Sequence, residues 1–147
     1  MYDEILVPTD GSAAAERSID EAIELAVATD ARLHALYVVD TRTLSGLPSA
    51  QGSTIEQALE AQGDAAVEGV RDRAEAAGLS VTTTVAVGNP ATEILAYADD
   101  APVDAIVMGT HGRTGVDRFL LGSVTERVLR RASAPVLVVR IGDEKAE

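Results

Sequence analysis

The sequence predicts an α/β protein: a doubly wound, five-stranded parallel sheet with helices on both faces, in the order βαβαβαβαβ. Three observations carry this. Strand-like and helix-like hydrophobic periods alternate along the chain from residue 4 to residue 141. Strand candidates at 4–7, 104–109 and 135–141 are nearly continuous apolar runs, the pattern of parallel strands buried on both faces. The 147 residues suit one domain spanning 1–147. Apolar residues make up 46% and only four residues are aromatic, so Val, Ile, Leu and Ala must build the core.

Each element has its own signal. "EILV" (4–7) is a strand ended by Pro8. "AAAERSIDEAIELAVATD" then puts Ala15, Ile19, Ala22, Ile23, Ala26 and Val27 on one helix face. "RLHALYVVD" (32–40) reads as a strand. "DTRTLSGLPSAQ" (40–51) reads as a long loop, a kind that is often functional or mobile. A long helix follows over 53–78, with Gly78 as its stop. The β-branched run "SVTTTVAV" (80–87) is a strand, and its threonines point to a sheet edge. Asn89 caps the next helix, with Pro90 in its first turn. "DAIVMG" (104–109) is a strand, 123–133 a helix and "PVLVVRI" (135–141) the last strand, which would lie at the other edge.

Composition excludes several functions. There is no cysteine, so disulfides, thiolate catalysis and thiolate-held metals are ruled out, which fits a cytoplasmic protein. No apolar run is long enough for a membrane span, and no signal peptide is visible. The net charge is −12, with Lys145 the only lysine, which argues against nucleic acid as a partner. Life in high salt is one source of such a surface. The charge is uneven. Residues 1–108 carry −14, whereas residues 109–141 carry +4, with six arginines. Arg130 and Arg131 complement a helix C-terminus, but Arg113 and Arg118 precede that helix, and the dipole does not account for them.

The basic stretch opens with "GTHGRTGVDRFLLGSVTERVL" (109–129). It lies where ligands bind in open α/β sheets, beyond the carboxyl ends of the strands, together with "PTDGS" and "VVD". The lysine-bearing phosphate loop, the GxGxxG dinucleotide loop and the GxSxG elbow are all absent. His34 and His111 lack metal-ligand spacing. Present instead is Gly109-x2-Gly112-x9-Gly122-Ser123. Glycines allow close backbone approach and positive φ, and a helix start favours an anion. Ser123 and Thr125 could add hydroxyl donors. S-V-T-E also fits a capping box led by Ser123, and the spacing leaves both readings open.

The motifs "ILVPTDGS", "LYVVD", "GNPATEI", "DAIVMGTHGRTG" and "LLGSVTERVLRRASAPVLVVR" resemble the universal stress protein family over nearly the whole chain. The complete G-x2-G-x9-G-[ST] pattern resembles its ATP-binding subgroup. The resemblance implies a Rossmann-like domain that binds ATP, with Mg or Mn carried on the phosphates, and acts in stress response. It implies that Asp10 and Val38 flank the adenine, that Pro8 and Thr9 shape the first loop, and that Met108 and Gly109 meet base and ribose. Gly112, Arg113, Gly122, Ser123, Val124 and Thr125 would hold the phosphates. Each has a plainer reading: Asp10 as a turn acid, Val38 and Met108 as core, Thr125 as an ordinary helix residue. No general base is evident around His111, so nucleotide as a ligand leads over slow ATP hydrolysis, phosphotransfer or an AMP-binding or nucleotide-free interaction module. A homodimer is expected through the apolar edge Val136, Leu137, Val138 and Val139, as the resemblance also implies.

Overall fold

The structure is a computed structural model, and it describes residues 2–111 and 121–141. The elements are β1 (Glu4–Thr9), α1 (Ala13–Thr29), β2 (Arg32–Asp40), a 3-10 turn (Thr41–Leu44) and α2 (Ser49–Ala76). They continue with β3 (Val81–Gly88), α3 (Pro90–Asp100), β4 (Ala105–Gly109), α4 (Ser123–Arg131) and β5 (Val136–Val139). The strands pair in parallel in the order β3-β2-β1-β4-β5, so the sheet is doubly wound with β3 and β5 at its edges, as expected.

Strand alternation builds two cores. Ile5, Val7, Leu33, Ala35, Tyr37, Val39 and Val107 face α1 and α2. Leu6, Leu36, Ile106 and Met108 face α3 and α4, where Ile94, Ala98 and Val128 meet them. Ile5, Leu6 and Val7 are all fully buried, as a central parallel strand requires, and each such side chain contributes about 1.5–3 kcal/mol.

Pro8 does not end β1. The strand runs on to Thr9, with Pro8 opposite Leu36 of β2. The Glu4 carbonyl accepts from Asp104 N, so Glu4, Leu6 and Pro8 turn their backbone polar groups towards β4. That ladder is registered only at Ile5 and Leu6. The proline thus turns its missing N–H towards β4, and the β1–β4 ladder stops just before it, while pairing with β2 continues to Thr9.

Three further expectations change. Val27 is half exposed, while Ser18 is buried. Ala22 and Ala26 bring α1 close to the sheet, and Val27 lies one residue around the helix from that stripe. The 40–51 stretch is not all loop: it carries a 3-10 turn and the first residues of a helix. Asp40 accepts from Arg42 N and caps the 3-10 turn, and α2 starts at Ser49 directly after Pro48. β5 is shorter than 135–141.

Other local signals hold. Gly78 takes φ +83°, and Leu79 N bonds the Ala74 carbonyl at 3.0 Å, closing α2. Asn89 caps α3 by accepting from Thr92 N at 3.2 Å. Gly63, inside α2, costs the helix roughly 0.5–1 kcal/mol relative to alanine. Its reason is contact: a Cβ there would stand 2.6 Å from Cδ1 of the Tyr37 ring.

Candidate functional site

The site forms where β1 and β4 part. After β1 the chain turns sharply at Gly11, φ +76°. Thr9 Oγ1 accepts from Gly11 N at 3.1 Å, and Asp10 Oδ1 accepts from Ser12 N at 2.9 Å and from Ser12 Oγ. Ser12 in turn caps α1. Asp10 is thus a turn acid whatever else it does, because one of its oxygens shapes the loop.

The other wall is the end of β4 and the start of α4. Gly122 N donates to the Thr110 carbonyl at 2.7 Å, which brings the helix start back onto β4. Glycine is needed there for approach rather than for left-handed backbone: Gly122 has φ −63°, and a Cβ would lie 3.2 Å from His111 Cα. At Gly109 a Cβ would lie 2.8 Å from the Ile141 side chain, and Gly109 is likewise absent from the positive-φ glycines. Neither position therefore uses the positive φ that glycine allows.

Gly122, not Ser123, is the N-cap of α4, and no side chain caps it. The capping box is not formed, because Ser123 is already helical and Glu126 N bonds the Gly122 carbonyl instead. The N–H groups of Ser123, Val124 and Thr125 consequently have no hydrogen-bond acceptor among the described residues. Thr125 is buried, and its hydroxyl donates to the Gly109 carbonyl at 2.7 Å, a bond that ties α4 to β4.

Between these walls lies a cleft of about 350 Å³. Pro8, Thr9, Asp10, Val38, Met108, Gly109, Gly122, Ser123, Val124 and Thr125 all line it. Gly112 and Arg113 lie outside the described residues. Val38 and Met108 also pack in the α3–α4 core, so their core reading holds as well. His111 lines the cleft with Nδ1 3.3 Å from Thr110 Oγ1, and no carboxylate among the described residues holds it. His34 is elsewhere in the sheet, bonded to Glu4 and to the Tyr97 hydroxyl at 2.7 Å each.

The sequence reading missed Arg42, Thr43, Tyr37, Leu59 and Ile94 as cleft residues. Only Asp40-x-Arg42 carried a signal, through its spacing. Arg42 Nε and Nη2 grip the Asp40 carboxylate at 2.9 and 2.6 Å. Those hydrogen bonds hold the Asp40 carboxyl below the usual carboxylate range and raise Arg42 in return. The pair is a neutral element of the mouth, not a spare cation. Among the described residues no cluster of three His, Cys, Asp or Glu could hold a metal, and no helix is long and apolar enough to cross a membrane.

A doubly wound parallel sheet with a cleft between a helix start and an apolar wall at its switch point defines the class: a small Rossmann-like α/β protein. The chain belongs to the universal stress protein family, whose model matches residues 1–140. It is 44% identical to universal stress protein MJ0531 of Methanocaldococcus jannaschii over 142 residues, 95% of this chain and 83% of that one. A solved structure of the hypothetical protein MJ0577 superposes with TM-score 0.88 at 33% identity, covering 98% of this chain and 99% of that one. A universal stress protein solved in complex with cAMP gives TM-score 0.71 at 29% identity, covering 96% and 98%.

Proposed function

We propose that this protein binds an adenine nucleotide, ATP, in the switch-point cleft, as a regulatory ligand rather than as a substrate. The observation that carries this reading is the start of α4. Three backbone N–H groups without acceptors among the described residues, at the positive end of a helix, open into a cleft whose other wall is apolar. Phosphates suit the first wall and a purine suits Val38 and Met108. Asp10 suits the exocyclic amine of adenine, a donor that needs an acceptor. Gly112 and Arg113 extend the phosphate wall in this reading, with arginine charge in place of the lysine of other phosphate loops. Mg or Mn, when used, rides on the phosphates, since the described residues offer no metal cluster. The cysteine-free chain supports action in the cytoplasm, and the β5 edge supports a homodimer.

The relative in complex with cAMP supports an adenine ligand and raises a second reading, a cyclic or monophosphate nucleotide. Native mass spectrometry of freshly purified protein, followed by calorimetry with ATP, AMP, cAMP and GTP, separates the two. Retained ATP, and tighter binding of ATP than of AMP or cAMP, is the expected result. A preference for cAMP or AMP selects the second reading. No heat and no bound mass with any of the four overturns both.

A further inference from the structure

We propose that the cleft has a second compartment, on the α1–α2 side of the sheet, that binds a small uncharged apolar molecule whose one carbonyl-type acceptor takes the proton of the Tyr37 hydroxyl. The cleft is lined from both cores. Leu36, Val38 and Met108 belong to the α3–α4 side, whereas Ala15, Tyr37, Val39 and Leu59 belong to the α1–α2 side. The nucleotide reading uses the first set and the tips of β1 and β4. It leaves the second set without a role.

The chemistry of that second wall is distinct. α1 and α2 contribute only Ala15, Ser18 and Leu59 to the lining, with no charged group, so a phosphate has nothing to meet there. Ser18 donates its proton to the Ala15 carbonyl at 2.9 Å and can only accept. Tyr37 is 4% exposed, yet its hydroxyl makes no hydrogen bond to any described residue. Among the described residues no sealed side-chain polar atom is without a partner, so this hydroxyl is not sealed, and Tyr37 is one of the residues that line the cleft. A tyrosine so deeply buried ordinarily finds a partner for its hydroxyl. Gly63 lets α2 close directly on the ring, which leaves the ring little room to turn away. An apolar chamber with one fixed, unpaired donor suits an aromatic-sized molecule bearing one acceptor.

Acetophenone is a direct probe: an apolar ring with one carbonyl. In protein-observed NMR titration it should bind, shifting the amides of Tyr37, Val39 and Leu59, and it should bind more tightly than ethylbenzene, which lacks the acceptor. Tyr37→Phe should weaken acetophenone about three- to tenfold and erase that preference. Leu59→Trp should fill the chamber and abolish binding; should that variant misfold, Tyr37→Phe alone decides. Saturating ATP should not displace the probe. No binding by the wild type, unchanged affinity in Tyr37→Phe, or displacement by ATP would each overturn the proposal. A protein that binds acetophenone but no nucleotide would overturn the nucleotide reading and leave this one standing.

Discussion

At the scale of single residues, Asp10 shows why the choice of substitution matters. Its Oδ1 accepts from Ser12 N and Ser12 Oγ, so Asp10→Ala would undo the turn as well as any contact with a base. Asp10→Asn keeps an acceptor for the turn and removes the carboxylate. We predict that Asp10→Asn weakens ATP by roughly tenfold, in line with about 1.5–3 kcal/mol for a hydrogen bond to a charged acceptor, and weakens GTP much less. Calorimetry with both nucleotides checks it, and equal losses would mean that Asp10 does not read the base. Thr125 makes the complementary point. A threonine just inside a helix in a glycine-rich segment suggests a phosphate donor, yet its single proton goes to Gly109 O. Only the return of α4 onto β4, through Gly122 N and Thr110 O, brings that carbonyl within reach.

At the scale of elements, the start of α4 and the start of β1 each support a prediction. A Cβ at Gly122 would lie 3.2 Å from His111 Cα and 3.4 Å from the Thr110 carbonyl oxygen, and the branches of a valine would add to that crowding. Gly122→Val should therefore push α4 off β4, moving its free N–H groups and abolishing ATP binding, while circular dichroism shows a folded protein. Unchanged affinity would place the phosphates elsewhere. At the opposite end of the sheet, Asp104 Oδ2 accepts from Asp3 N at 2.8 Å and Glu4 N at 2.9 Å, clamping β1 to β4. Those backbone bonds hold the Asp104 carboxyl below its usual range. A carboxyl lowered in the folded state stabilises fully above its unfolded value, and that contribution fades as pH falls through the folded value. Asp104→Ala should lower Tm at neutral pH by about 2–4 °C, a modest effect because the site is exposed. The difference from wild type should shrink in acid, as thermal unfolding across pH will show. A difference that grows in acid would refute the clamp.

At the scale of the whole molecule, the open question is the free edge of β5. Ile106 N bonds the Pro135 carbonyl and Thr110 N bonds the Val139 carbonyl, so the odd-numbered residues of β5 face β4. Val136 and Val138 therefore turn their backbone groups to the unpaired edge. Val139 is buried in the α1–α2 core, and Leu137 is 45% exposed. Of the four residues expected at the interface, Val136 and Val138 would supply the ladder and Leu137 the apolar cover. We predict a homodimer by antiparallel pairing of two β5 edges. Val138→Pro should give folded monomers, because the lost N–H belongs to the edge and not to the β4 ladder. Light scattering at several concentrations and at low and high salt checks it. Wild-type protein with the mass of one chain throughout would sink the prediction.

What the sequence determined by itself is the set of features written in local periods and local caps. Apolar runs and helical stripes predict the alternating elements. Gly78 and Asn89 mark a helix end and a helix start through bonds to residues a few positions away. The same patterning, with the doubly wound rule, predicts which strand ends converge, and ten of the expected cleft residues do meet there. Tertiary structure decided whatever depends on partners distant in the chain. Pro8 is tolerated inside β1 because its missing N–H faces β4, whose ladder ends before it, and pairing with β2 does not need it. Gly109 is a glycine because of Ile141, and Gly63 because of Tyr37. Tyr37 and Leu59 become cleft residues only once α2 lies across β2. Periodicity records which face a side chain occupies. It does not record which atom waits on the other side, because that contact is made by a segment whose position is set by packing of the whole sheet.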